Sequence, residues 1–173
     1  MAKRILKLTL LVVVIGVIFI LVYKVISRTR EINAIANKVK TIPAFSFTAL
    51  DNQQFTRENL NLNMSIVFLY FNSECDFCQL EAAKISDAIN DFKDVQLVFV
   101  STEPIAKIKL FSEQYKLNNQ ENIVFLNDSN DDFYNLFNAT SIPFILIYDK
   151  NQTLKKIYKG QLTVKSILKI ANN

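Results

Sequence analysis

Residues 65–78 read SIVFLYFNSECDFC, and this stretch decides the fold. Residues 65–71 are, after Ser65, a continuous apolar run, which is typical of a strand buried inside a sheet. Three polar residues interrupt the run, and residues 75–92 then carry apolar side chains at helical spacing. The stretch therefore predicts a buried strand that turns into a helix, with Cys75 and Cys78 in the first turn of that helix.

Further strands and helices are predicted on both sides of this stretch. Apolar runs and alternation predict the strands, and apolar residues at helical spacing predict the helices. The predicted strands span residues 44–50, 95–101, 123–126, 144–148 and 153–158, and the predicted helices span 105–115, 131–137 and 162–171. Strands that alternate with helices, followed by a hairpin and a last helix, predict an α/β fold in which a central mixed sheet has helices on both faces.

The N-terminal region contains an apolar segment, residues 8–26, in which Lys24 is the only charge. A helix of this length spans about 28 Å, which nearly matches a hydrocarbon core of about 30 Å. A cleaved signal peptide is the alternative, but the only A-x-A sequence, at residues 34–36, lies beyond several charged residues and is a poor cleavage site. We therefore expect one uncleaved N-terminal transmembrane helix.

These patterns divide the chain into a signal-anchor over residues 1–26, a polar linker over 27–41 and a globular domain over 42–173. The first forty residues hold eight Lys or Arg and one acid, whereas the remainder holds twelve basic and fifteen acidic residues. The domain therefore offers no field that attracts a polyanion, and we expect no nucleic-acid partner. A count of basic residues around the apolar segment slightly favours a cytoplasmic domain. The layout of an uncleaved signal favours an exported domain, and the charge rule alone leaves both open.

The two cysteines are the only residues with an evident chemistry. At positions i and i+3 of a helix their sulfurs share one face and can close a short disulfide. Cys75 lies at the helix N-terminus, where free N–H groups favour its thiolate, and we expect it to be the more exposed sulfur and the nucleophile. Cys78 is then the resolving thiol. Structural cysteines in a core helix are an alternative interpretation.

Composition excludes several other kinds of site. The chain has no histidine, so histidine metal sites and catalytic triads are excluded, and a half zinc site has no further ligand of its own to complete it. Two glycines are too few for a glycine-rich phosphate loop. We expect neither a metal site nor a bound cofactor.

The sequence resembles the thioredoxin superfamily over about residues 42–172, and is most similar to the membrane-anchored TlpA/ResA-type (redoxin) thiol–disulfide oxidoreductases of bacteria. Three features carry the resemblance: the strand that leads into C-x-x-C, the sequence Thr140-Ser141-Ile142-Pro143 before the apolar run FILIYD, and the ending DKNQTLKKIYKG. In that family the second feature is a cis-proline before a strand, and the third is a final hairpin with a glycine.

The resemblance implies a thioredoxin-like fold and thiol–disulfide exchange at Cys75 and Cys78. It implies that Glu81 lies near the sulfurs and exchanges protons with them, although a solvated helix carboxylate is the alternative. The implied partners are proteins that carry dithiols or disulfides, together with a membrane-bound or soluble thiol as electron donor. The implied location is the bacterial cytoplasmic membrane, with the domain outside the cytoplasm.

The resemblance also implies which residues contact a substrate chain. Pro143 would be cis and would pack beside the disulfide, with the backbone of Ile142 available to the substrate. Asp76 and Phe77, between the two cysteines, form the other implied substrate-binding element. They replace the Gly-Pro or Pro-Pro type dipeptide of the family, and Glu74 stands where the family usually has tryptophan.

Other functions of such a fold are disfavoured or stay open. The Thr-x-x-Cys pattern of peroxiredoxins is missing because residue 72 is Asn, which disfavours peroxidase activity. A redox-inactive binding module tethered to the membrane is an open alternative. So is delivery of copper through the two thiolates.

Overall fold

The computed structural model describes residues 13–27 and 37–172 of the chain. The chain divides into two compact units, Met1–Asn37 and Lys38–Asn173. In the first unit, residues 13–27 form helix α1. Within the described ranges, no helix combines the length and apolar character needed to cross a membrane. The predicted transmembrane segment begins outside these ranges, at residue 8, and stays a prediction.

The second unit folds, over residues 38–172, into seven strands and four helices. The strands are β1 (Ser46–Ala49), β2 (Gln54–Thr56), β3 (Ser65–Tyr70), β4 (Val95–Ser101), β5 (Ile123–Asn127), β6 (Phe144–Tyr148) and β7 (Leu154–Lys159). The helices are α2 (Asp76–Asp87), α3 (Ile105–Gln114), α4 (Asp132–Phe137) and α5 (Val164–Ala171).

All seven strands belong to one mixed sheet with the order β2-β1-β5-β4-β3-β6-β7. Strands β3, β4 and β5 are parallel, whereas β6 runs antiparallel to β3 and pairs Phe144 with Tyr70. The start of β6 therefore lies at the same end of the sheet as the C-terminal ends of β3, β4 and β5. Loops from four strands meet at this end, and the two cysteines follow one of them.

The two faces of the sheet carry separate cores, because successive residues of a strand point to opposite sides. Val67 and Leu69 point to the face that packs against α2, α3 and α5. Phe68 points to the other face, where its ring lies 5.8–6.0 Å from the rings of Phe133 and Phe137 of α4. Every position of β3 is buried, and burial on both faces explains why its residues after Ser65 are apolar. The predicted mixed sheet with helices on both sides is confirmed.

The helix that carries the cysteines is shorter than the predicted one over residues 75–92. It ends at Asp87, and Ile89–Phe92 forms a separate turn of 3-10 helix. Asp87 and Asn90 are poor helix formers, and the tighter turn leaves Phe92 fully buried in the core.

Two further features differ from the sequence prediction. Strand β2 was not predicted, because three residues are too few to show alternation; it pairs with β1 across the turn at Asp51-Asn52. Val39, inside the predicted linker, is buried in the folded unit, and its carbonyl accepts a hydrogen bond from the Tyr148 hydroxyl at 3.0 Å.

Candidate active site

The two cysteines lie where β3 passes into α2. Cys75 is the N-cap residue of α2, and its Sγ accepts a hydrogen bond from the backbone N–H of Cys78 at 3.4 Å. Both thiols are free; Cys75 is partly exposed and Cys78 is buried. This is the arrangement that the spacing predicts, with the sulfur at the helix terminus the accessible one.

The buried thiol is held in its protonated form. Burial raises the pKa of Cys78 far above its ordinary value, and the hydrogen bond with Cys75 and the charge of Glu81 raise it further. Cys78 therefore needs a base before it can act as a nucleophile.

Glu81 lies one turn after Cys78 and is buried, with 1% of its surface exposed. Its Oε2 accepts a hydrogen bond from the backbone N–H of Leu162 at 3.1 Å, whereas its buried Oε1 has no hydrogen-bond partner. Burial raises the pKa of Glu81 to about 7, against the smaller opposing effects of the Leu162 N–H and the charge of Lys84. A carboxyl with this pKa can both accept and donate a proton near neutral pH. The solvated carboxylate considered as an alternative is therefore wrong.

The loop before β6 lies at the same end of the sheet. The Ile142–Pro143 peptide bond is cis, as the resemblance implies. Pro143 is buried, whereas Ile142 is 40% exposed.

A short segment after β7 connects this loop to α2. The backbone N–H of Gly160 donates to the Pro143 carbonyl at 2.8 Å, and the Gln161 side-chain amide lies 3.5 Å from the Phe77 carbonyl. The next residue, Leu162, donates to Glu81. Gly160 has φ +111°, a conformation that side chains rarely adopt. Residues 160–162, the clasp segment, thus contact three parts of the site.

Apolar side chains are exposed around the cysteines. Phe77 is 64% exposed, and Leu80, one turn further along α2, is 47% exposed. The buried positions of α2 are Cys78, Glu81, Ala82 and Ile85, whereas Leu80 faces solvent. The buried stripe includes the carboxyl group of Glu81, which apolar spacing alone does not predict.

Sequence reasoning missed a polar cluster on the loop between β4 and α3. Glu103 is 7% exposed, and its carboxyl group binds Ser73, two residues before Cys75. Lys107 lies 3.8 Å from Glu103 and 2.7 Å from Glu74. No local pattern signals such a cluster, since its members come from loops about thirty residues apart. Among the described residues, no group of three or more His, Cys, Asp or Glu could hold a metal ion.

A mixed sheet of this strand order, with paired cysteines where a central strand meets its helix, is the thioredoxin-like fold of the redoxins. The chain belongs to the AhpC/TSA family, whose model matches residues 39–166. Redoxins of this kind generally catalyse thiol–disulfide exchange or peroxide reduction. Among curated proteins, none matches the chain significantly.

Solved structures share the fold at low sequence identity. A secreted Mycobacterium tuberculosis disulfide oxidoreductase, homologous to E. coli DsbE, is 18% identical, with a TM-score of 0.64 over 79% of this chain and 97% of that one. StoA from Bacillus subtilis is 14% identical, with a TM-score of 0.59 over 76% and 98% of the two chains. The peroxidoxin BcpB from M. tuberculosis is 14% identical, with a TM-score of 0.65 over 76% and 94%. Such likenesses establish the fold alone.

Proposed function

We propose that this protein is a thiol–disulfide oxidoreductase that reduces disulfides in other proteins. The observation that carries the proposal is a pair of free cysteines at the start of α2, one accessible and one buried, with a buried carboxyl one turn behind them. Thiol–disulfide exchange needs an accessible nucleophile, a second thiol to resolve the intermediate and a group that takes its proton.

In the first step the Cys75 thiolate attacks one sulfur of the substrate disulfide. A bond forms between Cys75 Sγ and that sulfur, and the other substrate sulfur leaves as a thiolate that takes a proton from water. The N-terminus of α2 and the N–H of Cys78 stabilise negative charge at Cys75 before the attack.

In the second step Cys78 resolves the mixed disulfide. Glu81 takes the proton of the Cys78 thiol, and the resulting thiolate attacks Cys75 Sγ. The substrate sulfur is released as a thiolate and is protonated by solvent. The substrate has gained two electrons and two protons, the protein is left with a Cys75–Cys78 disulfide, and an external thiol donor restores the dithiol.

The exposed residues around Cys75 define where a substrate chain would bind. Phe77 on α2 and Ile142 before β6 are exposed apolar side chains on two elements that the clasp segment connects. Asp76 is exposed on the same helix as Phe77, and Pro143, next to Ile142 in the loop, is buried. We assign these four residues to substrate binding, as the resemblance implies, and add Leu80, whose exposure extends the apolar surface.

We further propose that residues 8–26 anchor the protein in the bacterial cytoplasmic membrane and that the domain lies outside the cytoplasm. The support is the apolar length of the segment and its layout after a short basic N-terminus. Protease added to intact spheroplasts should digest the domain. Protection until the membrane is lysed would contradict the proposed orientation.

Insulin reduction with a small-thiol donor tests the activity. The unmodified chain should turn over, and Cys75→Ser should abolish turnover. Cys78→Ser should accumulate a mixed disulfide with the substrate, which a non-reducing gel detects, and the matched Cys75→Ser variant should not. Turnover that survives Cys75→Ser would overturn the assignment of the nucleophile.

The same purified chain separates the alternatives. Stoichiometric Cu(I) binding without insulin reduction would indicate metal delivery. Peroxide consumption that greatly exceeds insulin reduction would indicate a peroxidase. The absence of all three activities would indicate a binding module.

A further inference from the structure

The loop between β4 and α3 carries a buried carboxyl group that the exchange chemistry above does not use. Glu103 follows the end of β4 by two residues and is 7% exposed. Carboxyl groups are rarely buried unless donors surround them. The hydrogen-bond donors around Glu103 therefore identify the segment of the chain that its carboxyl group fixes.

Both carboxyl oxygens of Glu103 bind Ser73. Oε2 accepts a hydrogen bond from the Ser73 backbone N–H at 2.6 Å, and Oε1 accepts one from the Ser73 hydroxyl at 2.7 Å. The Ser101 hydroxyl donates to Oε2 at 3.3 Å. Both oxygens act as acceptors, which is the role of an ionised carboxylate.

The backbone of Glu103 is fixed independently of its side chain. Its N–H donates to the Ser101 hydroxyl oxygen at 3.2 Å, and its carbonyl accepts a hydrogen bond from the Asn127 side-chain amide at 2.8 Å. Ser101 and Asn127 are the last residues of β4 and β5 and pair with each other in the sheet. The carboxyl group is therefore presented from the rigid end of the sheet.

Ser73 transmits this position to the nucleophile. Its third polar group, the carbonyl, accepts a hydrogen bond at 2.8 Å from the side-chain amide of Gln79 on α2. Ser73 is thus bound to the sheet end on one side and to the cysteine helix on the other, two residues before Cys75. Lys107 adds an ion pair to Glu74 at 2.7 Å and lies 3.8 Å from Glu103.

We propose that Glu103 is a positioning residue for thiol exchange: it fixes Ser73 and thereby holds Cys75 at the helix N-cap, where its thiolate is stabilised. The biological meaning of this inference rests on the proposed function. The inference itself predicts the reactivity of the Cys75 thiol, which can be measured with a small alkylating agent and without a protein substrate.

The test measures the alkylation rate of Cys75 with iodoacetamide in the full chain carrying Cys78→Ser, where Cys75 is the only thiol. Glu103→Gln should slow alkylation at pH 7 about threefold to tenfold, because a less firmly held Cys75 loses part of its contact with the N–H groups of the helix terminus. Ser73→Ala should slow it in the same direction. The double variant should be no slower than Glu103→Gln alone, because both changes remove one linkage.

Asp128 provides a matched control. It is a buried carboxyl at the end of the neighbouring strand β5, and it accepts hydrogen bonds from the N–H groups of Asp132 and Phe133 at 2.9 and 2.8 Å, which begin α4. Asp128→Asn should lower the melting temperature but leave the alkylation rate unchanged. Equal slowing in both variants would show a general structural effect and overturn the proposal.

Two further outcomes decide the question. Faster alkylation in Glu103→Gln would show that Glu103 acts as a nearby negative charge rather than by positioning, which overturns the proposal. If Glu103→Gln does not fold, Ser73→Ala carries the test alone. If the chain fails to reduce insulin but Glu103→Gln slows the alkylation of Cys75, the proposed function is refuted and the positioning role stands. If the chain reduces insulin but Glu103→Gln leaves alkylation unchanged, the positioning role is refuted and the proposed function stands.

Discussion

Glu81 and Glu103 are two buried carboxyl groups, one on the cysteine helix and one bound to the segment before it, and they differ in how completely they are hydrogen-bonded. Glu81 has one backbone donor on Oε2 and none on Oε1. Glu103 has donors on both oxygens and a lysine 3.8 Å away. Burial without donors disfavours the charged form, whereas burial with donors stabilises it. This difference underlies the two roles that we propose, proton transfer for Glu81 and positioning for Glu103.

The largest expected effect is on the pH dependence of stability. Because the pKa of Glu81 is raised from 4.5 to about 7 in the folded protein, the unfolded chain loses this proton first as pH rises. The unfolding free energy should therefore fall between about pH 4.5 and 7, by about 3 kcal/mol from this group. Urea denaturation at several pH values measures this slope.

Glu81→Gln is the control for that slope, because burial also raises the pKa of Asp128, which therefore contributes a slope of the same sign. The slope that Glu81→Gln removes is the contribution of Glu81 alone. Identical slopes in the two proteins would mean that Glu81 does not retain its proton in the fold.

The second effect concerns turnover. Glu81→Gln should slow the decay of the mixed disulfide about a hundredfold, the lower end of the range for a general base. In the unmodified protein this decay should accelerate as pH rises through about 7, because Glu81 must be ionised to accept the Cys78 proton. Single-turnover quenching with acid measures it. In Glu103→Gln the decay rate of the mixed disulfide should keep this pH dependence. If the pH dependence is lost in both Glu81→Gln and Glu103→Gln, it does not distinguish the two carboxyl groups.

A third and smaller effect is a difference in the unfolding free energy at pH 8 between variants of Glu81 and variants of Glu103. Glu103→Gln places an amide where three donors converge, so the unfolding free energy should fall by about 2 kcal/mol. Glu81→Gln should raise it at the same pH, since an ionised buried carboxylate is removed. A fall of equal size in both variants would show that the two sites are energetically alike.

The smallest effect is expected at the surface. Glu74 and Lys107 form an ion pair at 2.7 Å with both side chains at least half exposed, and the pair lowers the pKa of Glu74. Exposed pairs contribute little because solvent screens them. Glu74→Gln should leave the melting temperature within experimental error and preserve the alkylation rate of Cys75. A clear loss of reactivity would move the positioning role from Glu103 to this pair.

Periodicity and spacing predicted the parts of the molecule that depend on local sequence. The strand before Cys75, the order of strands and helices and the exposure difference between Cys75 and Cys78 all follow from apolar runs and helical spacing. The parts that depend on tertiary contacts were not predictable in this way. The burial of Glu81 depends on the clasp segment about eighty residues later.

The role of Glu103 illustrates the limit most clearly. In the sequence it is one acid among fifteen in the region after residue 40. Its donors come from Ser73 and Ser101, and only the pairing of β4 with its neighbours brings them together. The exposure of Leu80 was not predictable either, because its place among the apolar residues of the helix gives no sign that it faces solvent.

The clasp segment makes the protonation of the site directly observable. The amide proton of Leu162 is donated to the titrating carboxyl of Glu81, so its resonance in a nitrogen–proton correlation spectrum should move as that carboxyl ionises near pH 7. The neighbouring amide of Gly160 reports on the Pro143 loop in the same spectrum. These two amide signals would then report separately on the Glu81 carboxyl and on the Pro143 loop in the unmutated protein, and would show whether an added polypeptide perturbs both.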